Sequence, residues 1–318
     1  PYAEAPVGKL RWAPPAPPEP WVGVLAADRA GPACMQPEGL GGEFYGESDV
    51  EMDEDCLLLN VWTRAEHQED SLPVMVWVHG GGLLTGQGAA YPGDLLTSKG
   101  VVLVTVNYRL GRFGFFAHPE LTDEHPNKVS GNQGLRDQIA SLKWVRDNIA
   151  RFGGDPQNVT IFGESAGSLS MSLLQASSLA RGLFHKVIGE SGGAFQPMTY
   201  RDQVKSYSPI HSEAIGEKFG RALSKNKKNI SLREMRAYSQ DELMEAFSSD
   251  PIFSDYNHLA IVDGEVIPEE VATIFAKGLQ SDVPVMIGSN SDEGTAFIPI
   301  FQTLFGQGVE GFRKFVES

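Results

Sequence analysis

The sequence predicts an α/β fold built on a mainly parallel sheet with helices on both faces. Short, β-branched apolar runs recur along the chain, among them PVMVWV at 73–78, VVLVTV at 101–106 and VPVMIG at 283–288. Continuous runs of this kind suit strands buried on both faces. A stretch with helical apolar spacing lies among them, and the two patterns alternate instead of segregating, as crossover connections between parallel strands require.

Taken in order, the first 21 residues are Pro-rich (Pro14, Pro15, Pro17, Pro18, Pro20) and read as extended and irregular. Residues 34–56, with several acids and the glycines Gly39 to Gly42, read as a surface loop. Strands are expected at Cys56 to Trp62, Pro73 to Val78 and Val101 to Tyr108. A long helix follows from about Leu135 to Phe152. Leu135, Ile139, Leu142, Val145, Ile149 and Phe152 form its apolar stripe, and Gly153-Gly154-Asp155-Pro156 stops it. Further strands are expected at Asn158 to Phe162, His185 to Gly189 and Val283 to Gly288.

Residues 196–280 are more charged and read as a helical insertion over the C-terminal edge of the sheet. Ser231 with Glu234, and Ser239 with Glu242, have the spacing of capping boxes. Asp263-Gly264 reads as a tight turn between two short strands.

Composition excludes some functions. The chain carries 26 Lys+Arg against 41 Asp+Glu, a formal charge of −15, which is the wrong sign for a nucleic-acid footprint. No run is long enough for a membrane span, and the two cysteines and scattered histidines form no metal-binding spacing. Cys34 and Cys56 either close one loop in an oxidising compartment or are unrelated buried thiols.

The chemistry is concentrated in three places. Gly163-Glu164-Ser165-Ala166-Gly167 fits G-x-S-x-G between an expected strand and a helix, the context in which a serine is held exposed on a sharp turn as a nucleophile. His79-Gly80-Gly81-Gly82 follows a strong strand, and its bare N–H groups suit a developing oxyanion. His79, on that loop, reads as structural and not as the general base. Ser291-Asp292-Glu293-Gly294 follows the last strand and offers an acid to orient an imidazole, although pattern alone leaves Asp292 and Glu293 equivalent.

These stretches, with Pro1-Tyr2-Ala3, Leu10-Arg11-Trp12, Glu54-Asp55-Cys56-Leu57, Asn107 to Gly111, Asn132 to Leu135, Phe152 to Pro156 and Glu190-Ser191-Gly192, resemble in order the type-B carboxylesterases, the cholinesterase-like family of α/β-hydrolases. The resemblance implies an α/β-hydrolase catalytic domain over 1–318 and a Ser-Glu-His acyl-enzyme mechanism on a small-molecule ester, without metal or organic cofactor. It implies Ser165 as nucleophile and Glu293 as acid, with oxyanion N–H groups from Gly81, Gly82 and Ala166. It places Glu164 in the gorge and Ser191 behind the triad. It also implies a Cys34–Cys56 disulfide and hence a secreted or periplasmic protein, cytoplasmic if those thiols are reduced. A monomer or homodimer is expected.

Two features depart from the family pattern. The chain opens at Pro1 without Met and all seven histidines (His67, His79, His118, His125, His185, His211, His258) precede Glu293. The expectation is a domain incomplete at both ends, whose catalytic histidine lies outside it. Leu83 and Leu84 stand where many relatives place an aromatic, so they are either smaller substrate-pocket walls or ordinary packing. A second resemblance, carried by Gly192 to Thr199, is to bacterial esterases that remove tricarballylate side chains from fumonisins. Such a polyanion needs a cation near the gorge, for which Arg201 and Lys205 are candidates. A non-catalytic, adhesion-type relative is the third reading.

Overall fold

Among the described residues six strands run in the order β1-β3-β2-β4-β5-β6: β1 (Leu59–Trp62), β2 (Leu72–Val78), β3 (Val102–Val106), β4 (Gly154–Glu164), β5 (Lys186–Glu190) and β6 (Val285–Gly288). β1 is antiparallel to β3, and every other pairing is parallel. The computed structural model describes residues 1–37, 51–224, 228–249, 259–298, 308–310 and 313. All five residues of β3 are buried, as a central strand covered on both faces requires.

The strand ends differ from the pattern-based expectation for local reasons. Cys56 to Leu58 lie outside β1 because Cys56 is bonded to Cys34 and backbone bonds from Cys56 to Glu54 and from Leu58 to Cys56 turn the chain there. β4 begins early, since Leu72 pairs with Gly154, but its register then jumps to Val74 with Val159. That irregularity accommodates Pro156, which has no N–H for a ladder. Of the segment 34–56, residues 38–50 lie outside the described residues; the two cysteines at its ends are buried, not part of a surface loop.

The long helix, α1 (Gln133–Asn148), stops earlier than its periodicity predicts and tightens into a 3-10 turn, Ile149–Phe152, closed by Gly153 at φ +75°. Leu135, Ile139, Leu142, Val145 and Ile149 form the buried stripe. Phe152 does not: the tighter turn rotates it off the stripe, and it is exposed beside Trp144. The second helix, α2 (Ala166–Ala176), follows β4 and packs on the sheet.

Within 196–280 lie α3 (Ser212–Leu223), α4 (Leu232–Met235), α5 (Gln240–Ser249) and α6 (Val271–Ala276). Both capping boxes form: Ser231 and Ser239 N–H donate to Glu234 and Glu242, whose own N–H groups donate back to the hydroxyls. The turn at Asp263-Gly264 is present, but no strands flank it. The Asp263 side chain takes the N–H groups of Glu265 and Ile267 instead, and Val262 makes only an isolated parallel bridge with Tyr200.

A second hydrophobic cluster, separate from the sheet core, packs α3 to α5 against Trp12, Phe113 and Phe116. Beside it, Arg11 forms a buried pair with Glu54 and donates to the carbonyls of Arg236 and Tyr238. The expected irregular N-terminal stretch thus becomes the tie between insertion and sheet.

The end of β3 is fixed by Arg109, which makes a buried two-pronged pair with Asp137 of α1 at 2.7 Å on each prong and donates to Ala13 O at 2.8 Å. Removing one member leaves an uncompensated buried charge. Asp137→Ala is therefore expected to cost about 3–5 kcal/mol, measured by urea unfolding. The double variant Arg109→Met/Asp137→Leu is expected to recover much of that loss.

Candidate active site

Ser165 lies between β4 and α2 at φ +54°, ψ −118°, a conformation that costs a non-glycine residue strain energy. Its surroundings hold it there. Ser165 N–H donates to Glu190 O at 2.8 Å, and Ser165 O accepts from Leu169 N–H at 2.9 Å. A Cβ on Gly163 would lie 2.5 Å, and one on Gly167 2.1 Å, from the same atom, the carbonyl oxygen of Val78. The two glycines of the motif thus let the turn close over the end of β2. Gly192 does the same from the other side, with a Cβ there falling 2.4 Å from Ser165 O. Ala166 opens α2, so its N–H is unpaired within the helix and stands beside the nucleophile.

The register pairs Val78 with Gly163, so the chain leaving β2 passes the elbow directly. Gly81 (φ +92°), Gly82 (φ +68°) and Leu83 (φ +60°) form a tight turn in which Gly81 O accepts from Leu84 and Thr85 N–H, both at 3.0 Å. The N–H groups of Gly81 and Gly82 make no hydrogen bond among the described residues. Leu83 turns inward: its side chain has no accessible surface and belongs to the sheet core. Of the pair, only the half-buried Leu84 retains accessible surface.

His79 braces this loop. Its Nδ1 lies 2.9 Å from Gly80 O, its ring stacks on Tyr108 at 4.5 Å, and Tyr108 Oη donates to His79 O at 2.8 Å. The bond to a carbonyl requires the proton on Nδ1. Burial depresses the imidazole pKa to about 4, so the ring is neutral, and its Nε2 has no hydrogen-bond partner among the described residues.

At the next strand ends, Ser191 (φ +54°) leaves β5 and Glu293 opens a 3-10 turn after β6. Glu293 Oε1 accepts from Ser191 Oγ and from Asn290 N–H, the latter at 2.6 Å. These bonds, the serine's foremost, hold its carboxyl below the usual range. Among the described residues Asp292 bonds to its neighbours Ser291 and Thr295 and has no link to the Ser165 turn. The geometry therefore separates two acids that the pattern left equivalent.

Glu164 is half-buried and faces Glu190 across the β4–β5 register. Burial first, and then the charges of Glu293 and Glu190, raise its pKa. Glu190 was not singled out from the sequence. Its signal was available: Glu190-Ser191-Gly192 repeats, at a strand end, the Glu-Ser order of Glu164-Ser165.

Among the described residues no histidine bonds to Ser165 or Glu293. His118 and His211 cap helices, and His185 accepts Val159 N–H. His258 lies outside the described residues. Arg201 is engaged by Asp202, Glu213 and the carbonyls of Lys128 and Asp263, and Lys205 sits over the Tyr200 ring. Cys34 and Cys56 are disulfide-bonded, and no described helix is long and apolar enough to cross a membrane.

A serine on a strained strand-to-helix turn, glycines at the end of the neighbouring strand and an acid after a later strand define the α/β-hydrolase class. The chain belongs to the carboxylesterase family, whose sequence pattern it matches over residues 1–314. It is 42% identical over 305 residues to the fumonisin B1 esterase of Sphingopyxis macrogoltabida, covering 93% of this chain and 53% of that protein. It is 40% identical over 305 residues to the para-nitrobenzyl esterase of Bacillus subtilis, covering 93% of this chain and 59% of that one. A crystal structure of a Geobacillus stearothermophilus carboxylesterase superposes with a TM-score of 0.81 at 32% identity, over all of this chain and 62% of that one. The chain thus spans little more than half the length of these relatives.

The depressed His79 pKa has a consequence for stability. The unfolded imidazole takes up a proton near 6.5, while the folded one stays neutral to about 4. The unfolded state therefore binds more protons within that window, and stability falls as pH drops through it. His79→Gln is expected to remove a pH-dependent component on the order of 3 kcal/mol between about pH 7 and pH 4. Urea unfolding at the two pH values checks this. Equal losses in both proteins would rule it out.

Proposed function

We propose that the parent protein is a serine carboxylester hydrolase and that Ser165 is its nucleophile. The observation that carries this is the strained Ser165 turn, closed by Gly163 and Gly167 over the Val78 carbonyl. An ordinary loop serine requires no such packing.

In this reading Ser165 Oγ attacks the ester carbonyl. The tetrahedral oxyanion accepts hydrogen bonds from the N–H groups of Gly81, Gly82 and Ala166, each donor worth about 3 kcal/mol of transition-state stabilisation. The proton passes to an imidazole from outside the described residues. Glu293, kept ionised by Ser191 and Asn290, orients that ring and stabilises its charged form. The alcohol departs with the proton, and water, deprotonated by the same imidazole, releases the acyl group from Ser165. The helices of 196–280 form the cover over the site. The Cys34–Cys56 bond supports export to an oxidising compartment.

Similarity to the fumonisin B1 esterase favours a second reading, in which the acyl group is a tricarballylate. Against it stand the three carboxylates around Ser165 and the engagement of both Arg201 and Lys205 elsewhere.

With the complete polypeptide, a fluorophosphonate is expected to attach once, at Ser165, and Ser165→Ala to abolish both labelling and hydrolysis of p-nitrophenyl acetate. Retained turnover in that variant would overturn the assignment, and absence of label on the wild type would favour a non-catalytic relative. Ser191→Ala is expected to raise the Glu293 pKa, followed by carboxyl NMR, and to lower kcat about tenfold or more. A parallel assay of fumonisin B1 against neutral esters decides between the two substrate readings.

A further inference from the structure

The loop that carries Gly81 and Gly82 leaves β2 after Val78 and reaches the end of β3 at Gly88, whose N–H donates to Asn107 Oδ1 at 2.8 Å. Within it, one peptide unit holds both the Gly80 carbonyl and the Gly81 N–H. That unit is trans, so the two groups point in opposite directions. His79 Nδ1 donates to Gly80 O at 2.9 Å. The imidazole therefore fixes the plane of the unit and aims the Gly81 N–H away from itself.

Gly86 backs this hydrogen bond. At φ +110°, it sits so close that a Cβ would fall 2.4 Å from His79 Nδ1 and 3.2 Å from Gly80 O. The place of Gly86 thus limits where the ring, and with it the Gly81 peptide, can lie.

Gly86 is in turn gripped by a side chain 50 positions earlier in the chain. Gln36 Oε1 accepts Gly86 N–H at 2.7 Å, and Gln36 Nε2 donates to Gly86 O at 3.0 Å. Nε2 also donates to Cys34 O at 3.0 Å, so both amide hydrogens are used. The residues before Gln36 are pinned. Ala33 N–H donates to Glu51 O at 2.9 Å and Ala33 O accepts Asp53 N–H at 3.0 Å. Cys34 is bonded to Cys56, and Met35 is buried in the second hydrophobic cluster. Asn107 ties the same two segments a second time, since its Nδ2 donates to Pro32 O at 3.0 Å.

Resting on the esterase reading, we propose that Gln36 is a positioning residue for the oxyanion loop. It acts through Gly86 and His79 to hold the Gly81 N–H in the direction that a tetrahedral oxyanion requires. An oxyanion donor is effective because it is aimed before charge develops. A misplacement of about 1 Å that starts far from the chemistry costs roughly a hundredfold in rate. The Cys34–Cys56 bond is the fixed point from which Gln36 reaches.

The test uses the complete polypeptide with Gln36→Ala and Gln36→Met, the second close to glutamine in length but without its hydrogen bonds. Both variants are expected to lower kcat for p-nitrophenyl acetate by about tenfold to a hundredfold, counted per site titrated to completion with a fluorophosphonate. KM is expected to change by less than about twofold, because the weakened interaction is made only in the transition state. A trifluoromethyl ketone supplies a second readout. Ser165 Oγ bonds to its carbonyl carbon, the π pair moves to oxygen and the proton passes to the imidazole. Its affinity is expected to fall by the same factor as kcat/KM.

Amide hydrogen exchange, read by mass spectrometry, is independent of turnover. In both variants exchange over residues 79–88 is expected to quicken by about tenfold, with the sheet strands unchanged. Turnover per site and exchange both matching the wild type would overturn the proposal and leave the esterase reading standing. A loss in Gln36→Ala that Gln36→Met does not share would also overturn it, since packing and not hydrogen bonding would then be at work. So would quickened exchange throughout the chain, which marks a general structural role. If the wild type hydrolyses no ester, the esterase reading falls, and exchange confined to 79–88 keeps Gln36 as the brace of this loop.

Discussion

The carbonyl oxygen of Val78 is the point about which the site is organised. It ends β2, and both Gly163 and Gly167 pack so closely on it that a methyl group at either position would overlap it. That contact closes the turn between β4 and α2 and holds Ser165 at positive φ. The same residue is the last of β2 before the His79–Gly82 loop, so one backbone contact sets the serine and the loop glycines relative to each other. Strain at Ser165 is sustained because the chain on every side is fixed: by the β2–β4 ladder, by the bond to Glu190 O, and by Gly192 on the far side.

Electrostatics adds a second constraint. Glu164 and Glu293 are both carboxylates near Ser165, but their surroundings move them in opposite directions. Two hydrogen bonds to the charged form hold Glu293 low, while burial and neighbouring negative charge push Glu164 up. Under the proposed mechanism the carboxylate that supports an imidazolium has to remain ionised, and of these two Glu293 has the donors for that. A raised pKa at Glu164 also limits the negative charge gathered at the strand ends, where Glu190 already contributes.

Much of this was legible in the sequence because it rests on local pattern. The buried strands β2, β3 and β4 announce themselves as β-branched runs, and the nucleophile turn and loop glycines as motifs in strand context; β6, read from the same kind of run as buried on both faces, is instead exposed at all four residues, because it lies at the edge of the described sheet with only β5 beside it. Phe152 was misplaced because periodicity assumes a constant 3.6 residues per turn, and the helix tightens before reaching it. The choice between Asp292 and Glu293 was illegible from residue pattern because the deciding partner, Ser191, is 102 residues away. Leu83 read as a possible pocket wall from its position after the glycines, but its positive φ turns it into the core, and no neighbour in sequence signals that.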